Sequence, residues 1–80
     1  MKQVAVKWFA AYREVTGTAA EPVETAAETA ADLFDELMTR HRGLAAFSGA
    51  MVAINDEMVD WKSRLADGDQ VLFFPPVAGG

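Results

Sequence analysis

Few side chains in this sequence are equipped for chemistry, and those few stand apart. There is one histidine, His41, two serines, Ser48 and Ser63, and no cysteine. The missing thiol removes a cysteine nucleophile, a disulfide framework, and Cys-ligated zinc or iron–sulfur sites. One histidine cannot build a His-rich cluster, so no metal site is expected. His41 reads as a surface residue at a helix end, which leaves a Ser-His-Asp arrangement without support. The acid pairs Asp67/Asp69 and Glu57/Asp60 have the chemistry to bind a cation or move a proton. Their setting, a loop and a hairpin, fits turn chemistry and solubility better. Gly68 lacks the companions of a phosphate-cradling loop. These side chains do not make an autonomous enzyme, and no cofactor bound by the chain is expected.

The chemistry that remains lies in the main chain at the C-terminus, Pro75-Pro76-Val77-Ala78-Gly79-Gly80. Glycine gains nothing from packing and loses the most entropy on ordering. Proline stiffens the exit and directs the chain away from the sheet. At ~3.3–3.6 Å per residue, the segment from Pro75 to Gly80 reaches roughly 20 Å. A thin tip ending in a carboxylate suits a narrow tunnel in another protein, where the carboxylate is open to activation as an acyl adenylate. Without cysteine, any sulfur carried here would ride on the Gly80 carboxylate as a thiocarboxylate.

Such a tail needs a domain to present it. The 80 residues suffice for one domain and not two. Hydrophobic residues make up 51% and charged residues 24%, which argues against wholesale disorder. A net charge of −5 argues against binding a phosphate backbone and fits a basic protein partner better. Lys2 and Lys7 interrupt the N-terminus where a signal peptide needs an apolar run, and no stretch approaches the roughly 20 apolar residues of a membrane span. A soluble, cytoplasmic protein is the expectation, with no membrane and no nucleic acid among its partners.

Val4, Val6 and Trp8 alternate with Ala5, Lys7 and Phe9, which predicts a first strand over residues 3–9. One helical turn follows over 10–15, with Gly17 as its cap. Residues 20–24 contain Pro22 and can form only an edge strand. Thr29 as N-cap with Asp32, followed by Ala30, Leu33, Phe34, Leu37 and Met38 on one stripe, predicts the main helix from Ala30 to His41, stopped by Gly43. Leu44–Phe47 reads as an apolar connector. Met51–Asn55 and Met58–Trp61 form a hairpin around Asn55-Asp56-Glu57. Asp67-Gly68-Asp69 is a loop, and Gln70–Phe74 is a central strand. One helix across a mixed sheet, with first and last strands adjacent and parallel, is an α+β arrangement of the β-grasp, ubiquitin-like type. The domain is expected over 1–76, with 77–80 as a flexible tail. Leu33, Phe34, Leu37, Val6, Trp8, Ile54 and Phe73 should be buried.

Parity along the strands locates a second feature. Val4, Val6 and Trp8 face the helix, as do Val59, Trp61, Val71 and Phe73. Phe9, Met58 and Phe74 then point to the helix-free face near the tail exit. Such a cluster on a small soluble domain suits a partner, with Arg13 as a charged rim contact.

The sequence resembles the MoaD family of sulfur carriers, the small subunits of molybdopterin synthase. The residues that carry the resemblance are the run from Leu65 to Gly80, with Asp67-Gly68-Asp69, Phe73-Phe74-Pro75-Pro76 and Gly79-Gly80, together with Val6–Ala10, Arg13–Gly17 and Ala53-Ile54-Asn55. Lys7 departs from it, standing where an apolar residue is common, as does Arg64, where a proline can occur. The resemblance implies that Gly80 is adenylated by a ubiquitin-activating-type adenylyltransferase (MoeB type) using ATP, then thiocarboxylated. It implies insertion of the tail, Pro75, Pro76, Val77, Ala78 and Gly79 included, into the large subunit (MoaE type). There sulfur passes to cyclic pyranopterin monophosphate, in a heterotetramer whose catalytic side chains belong to the large subunit. Phe9, Arg13, Met58 and Phe74 are the implied large-subunit contacts. Alternatives that share the fold and activation chemistry are a thiamin-pathway carrier of the ThiS type and a ubiquitin-like modifier joined to lysine. A plain interaction domain with an inert tail is a third.

Overall fold

In the computed structural model, residues 1–46 and 50–75 are described. Five strands and a main helix follow the order β1 (Lys2–Trp8), α1 (Ala11–Thr16), β2 (Ala20–Thr25), α2 (Ala30–Arg40), a 3-10 turn (Arg42–Ala46), β3 (Met51–Ile54), β4 (Glu57–Val59) and β5 (Gln70–Phe74). The sheet order is β2-β1-β5-β3-β4. β1 and β5 are parallel, with Val6 opposite Val71 and Trp8 opposite Phe73; the other pairs are antiparallel. This is the mixed sheet with one main helix that the patterning predicts.

Alternation decides which face is filled. Val4, Val6 and Trp8 are buried on β1, and Val71 and Phe73 on β5. They meet Ala30, Leu33, Phe34 and Leu37 from α2, where each large side chain contributes about 1.5–3 kcal/mol by leaving water. The Thr29 hydroxyl accepts the Asp32 N–H at 3.1 Å and starts that helix. Tyr12 is fully buried from α1, its ring edge-on to Trp8 with centroids 6.1 Å apart. Burial raises the Tyr12 pKa above its ordinary value, so the phenol stays neutral at physiological pH. Between Phe9 and Tyr12 the chain turns sharply through Ala10, at φ 50° and ψ −125°. A side chain in that region costs roughly 1–3 kcal/mol, and the turn is what lets Phe9 face outward while Tyr12 enters the core.

The edge position of β2 matches its proline. Ala5 gives its N–H to the Asp69 carbonyl on the β5 side. The residue across from Ala5 on the other side is Pro22, so Pro22 turns its nitrogen to the open edge.

Several local expectations need correction. Phe9 lies beyond the end of β1. The hairpin arm is Glu57–Val59 rather than Met58–Trp61. Asn55 and Asp56, at φ 52° and 69°, make a two-residue turn that already pairs Glu57 with Ile54. Trp61 thus sits outside the ladder, half-buried, with its ring stacked on Phe73 at 6.0 Å. Ile54 is half-buried rather than buried, because it lies next to the hairpin turn. α2 ends at Arg40 with His41 as its cap residue. Gly43 does not stop the helix; it belongs to the 3-10 turn after it. Phe47 and the tail from Pro76 lie outside the described residues, as does the 76/77 boundary.

Gly43 serves close approach instead. A Cβ there would stand 2.7 Å from Val15 Cγ1, so a side chain would push the turn off α1. Overpacking costs about 1–3 kcal/mol, and alanine's stiffer unfolded chain returns less than ~1. Gly43→Ala is therefore expected to lose about 1 kcal/mol in urea unfolding. In a Val15→Ala background the same change should cost much less, and an unchanged cost would show that the contact is not its source.

Candidate functional site

The site is built by the parallel β1–β5 pair. Parallel neighbours end at the same edge of the sheet, so Phe9 after β1 and Phe74 at the end of β5 come out side by side. Their rings stack with centroids 4.8 Å apart and planes 13° from parallel, a contact worth about 0.5–1.5 kcal/mol. Phe74 leads directly into Pro75, which is half-buried and marks where the strand leaves the ladder.

Register extends the patch away from the helix. Lys7, Leu72, Ala53 and Met58 stand opposite one another in turn across β1, β5, β3 and β4, with Ala20 completing the row on β2. Met51 pairs with Phe74 in the next row. Phe9 is 38% exposed, Met51 40% and Met58 56%. Ala53 shares this outer face yet is only 3% exposed, because larger side chains, with Leu72 and Met58 on either side of it in the row, cover it. Phe9, Met58 and Phe74 are thus brought onto one face. Arg13 is exposed on α1, the helix that follows Phe9. Pro76, Val77, Ala78, Gly79 and Gly80 lie outside the described residues.

Sequence reading omitted Met51 from this face. Its parity with Ala53 was legible, but its place beside Phe74 depends on the β3–β5 register, which pairs strands 20 or so residues apart in a way no local pattern states.

Most of the other polar candidates are occupied with structure; Glu57 is exposed at the start of β4. Asp67 accepts the Gln3 N–H at 2.7 Å. Asp69 accepts the Asn55 side-chain amide at 2.9 Å with one oxygen and the Ala66 N–H at 2.8 Å with the other. Asp60 accepts the Lys62 N–H at 2.7 Å. Glu21 Oε2 accepts the Trp8 indole N–H at 3.0 Å and lies 3.1 Å from His41 Nε2. His41 is therefore half-buried against Trp8 rather than a free surface residue. Gly68, at φ 88°, is a turn glycine. The Ser63 carbonyl accepts the Ala30 N–H, and Ser48 lies outside the described residues. Among the described residues, no three His, Cys, Asp or Glu side chains are grouped to hold a metal ion, and no helix is long and apolar enough to cross a membrane.

Comparison with known proteins agrees with this architecture. The model of the ThiS family matches residues 6–80. A molybdopterin synthase sulfur carrier subunit from Escherichia coli K12 is 36% identical over 80 residues, covering 96% of this chain and 99% of the relative. The crystal structure of small archaeal modifier protein 1 from Haloferax volcanii superposes with a TM-score of 0.84 at 28% identity, over 96% of this chain and 100% of the other. A chain from the complex of subunits 1 and 2 of the molybdopterin-converting factor of Helicobacter pylori 26695 superposes with a TM-score of 0.67 at 26% identity, over 98% and 99%.

The exposure of the patch has a chemical readout. Peroxide converts an accessible thioether to the sulfoxide. Met58 and Met51 are expected to oxidise well before Met38, which packs against the core. Peptide mass mapping over a time course checks the order; simultaneous oxidation of all three would contradict the packing described.

Proposed function

The chain belongs to the ThiS family, and we propose that within it the protein is a sulfur carrier, the small subunit of a cytoplasmic molybdopterin synthase. The observation that carries the reading is the Phe9–Phe74 stack, an apolar docking surface at the point where β5 hands over to the Gly-Gly tail. The family match running to Gly80 and the name borne by the E. coli relative support it.

In this reading Gly80 is the covalent carrier. Its carboxylate oxygen attacks the α-phosphorus of ATP in a ubiquitin-activating-type adenylyltransferase of the MoeB type, and pyrophosphate leaves. Hydrosulfide then displaces AMP from the acyl adenylate and loses its proton, leaving a thiocarboxylate. No side chain of this protein needs to move a proton or hold a metal for these steps, in keeping with the structural work its acids already do. ATP belongs to the activating enzyme, and this chain binds no cofactor of its own. Phe9, Met58, Phe74 and Met51 dock on the large subunit, with Arg13 at the rim, and Pro75, Pro76, Val77 and Ala78 lead the tip inward. The H. pylori complex of subunits 1 and 2 supports a large subunit of the MoaE type as that partner. Gly79 keeps the tip narrow, so the sulfur on Gly80 reaches cyclic pyranopterin monophosphate and supplies one of the two sulfurs of the dithiolene, a second loaded carrier supplying the other.

Likeness to the H. volcanii modifier favours a second reading, in which activated Gly80 is joined to a lysine of a target protein. Intact mass of protein from cells separates the two. An O-to-S exchange marks the carrier, and a ladder of larger adducts marks the modifier.

Two variants test the first reading. Deleting Gly80 draws the reacting carboxylate back by about 3.5 Å, and a misplacement of ~1 Å can cost about a hundredfold in rate. With a chemically installed thiocarboxylate, the shortened carrier is expected to lose dithiolene formation while melting normally. Full activity would mean that the tail is not the donor. Phe74→Ala is expected to weaken large-subunit binding by more than ~1 kcal/mol and to lower the melting temperature much less. A large loss of stability with normal affinity would place Phe74 in the core instead.

A further inference from the structure

We propose that Lys7 is a specificity-determining charge of the helix-free sheet face, and that the large-subunit surface covering this face presents a carboxylate opposite it. The inference rests on the docking reading above and adds to it the charge of the partner surface.

The row Ala20–Lys7–Leu72–Ala53–Met58 and the neighbouring Phe9–Phe74–Met51 contain one formal charge among their members, the Lys7 ammonium. Lys7 is exposed, and among the described residues it makes no ion pair. Its four-carbon stem can lie on the apolar patch while the ammonium stays in water. That arrangement ends when a partner covers the patch. An ammonium stripped of water without an anion is strongly unfavourable, so a cognate surface must either leave it at the rim or supply a carboxylate. The place of Lys7 favours a pair at the rim. Leu72 lies on one side of it and the small Ala20, on the open edge strand, on the other.

The rest of the charge distribution gives the pair a direction. The chain is net −5, but Asp56, Asp67 and Asp69 gather at the far end of the sheet. There the Asn55 N–H meets the Gln70 carbonyl and the Gly68 N–H meets Gln3. The tail end carries Lys7 and, on the adjoining helix, Arg13 with Glu14 beside it, while Glu21 on β2 is engaged with the Trp8 indole and His41. Asp60, just past β4, lies across the patch from Lys7 and is tied back to the Lys62 N–H. A partner with acidic groups around its apolar pocket draws the tail end forward and pushes the acidic end away. A uniformly basic partner, which the net charge alone would suggest, would turn the molecule the wrong way round. Complementary rim charges act mainly on the association rate and on rejection of wrong partners.

The test measures association and dissociation rates of the full chain with the purified large subunit of the same organism's molybdopterin synthase, at low and high salt. Wild-type association should slow as salt rises. Lys7→Glu should associate about tenfold or more slowly at low salt, with the gap closing as the charges are screened. Lys7→Arg should keep wild-type rates, and Lys7→Met should fall between wild type and Lys7→Glu at low salt. Thermal melts should show all three variants folded, since Lys7 touches no core residue by its charge. An Asp→Lys or Glu→Lys change on the large subunit that restores Lys7→Glu would identify the opposing carboxylate. If Lys7→Glu binds within about twofold of wild type while Phe74→Ala is weak, the charge assignment is overturned and the docking face stands. If neither variant changes binding, or the wild type does not bind, both are overturned.

Discussion

The parallel pairing of β1 with β5 is the constraint on which the rest of the molecule depends. Parallel neighbours cannot be joined by a tight turn; the chain must cross over and return. Here the crossover is everything between Trp8 and Gln70, so α2, the hairpin and the edge strand are all parts of one long return. The same pairing brings both strands to an end at one edge of the sheet. Phe9 and Phe74 are neighbours only because Val6 faces Val71 and Trp8 faces Phe73 in that register. A slip by one residue would send Phe74 into the core and Phe73 out to the patch.

Packing beneath the sheet holds that register. Phe73 is stacked on Trp8 at 5.3 Å and on Trp61 at 6.0 Å, and meets Phe34 at 4.9 Å. Rings from β1, α2 and the segment after β4 thus converge on one residue of the last strand. Glu21 adds a polar tie at the border of this cluster, joining the edge strand to the Trp8 indole and to the end of α2 through His41. The strained turn at Ala10 is held from both sides, Phe9 before it by the stack on Phe74 and Tyr12 two residues after it by burial in the core.

Much of this was legible in the residues. The period of two in Val4-Val6-Trp8, the Thr29 cap and the Leu33–Leu37 stripe each state a local preference that the tertiary structure keeps. Parity also put Met58 and Phe74 on the helix-free face, where the register has them, while Phe9 joins them through its stack on Phe74 beyond the end of β1. What escaped had a non-local cause. The extent of the hairpin turned on whether Glu57 or Met58 first faces β3, and a charged residue in a three-residue edge strand leaves no apolar pattern to read. Gly43 looked like a helix stop because glycine usually is one there. Its reason, the nearness of Val15, lies 28 residues back in the chain. Tyr12 gave no sign of burial because a helix of one or two turns is too short to show a stripe. The polar candidates were easier, since Asp67, Asp69 and Asp60 occupy turn positions whose backbone donors need an acceptor.

Pro22 has a consequence for how such a protein travels through a cell. A sheet edge with free donors is a template on which another chain can add a strand, and such additions are slow to undo. In β2 the proline nitrogen removes a donor from the middle of the outward row, and at the far edge β4 offers three residues, too short to hold a guest strand. Neither border invites zippering with a neighbour or with a second copy. That leaves the helix-free face, with Phe9, Met51 and Met58 exposed, as the surface on which side chains can meet a partner. In the carrier reading proposed above, loading by one enzyme and emptying by another would call for such a side-chain grip, firm enough to aim the tail and weak enough to let the empty molecule go.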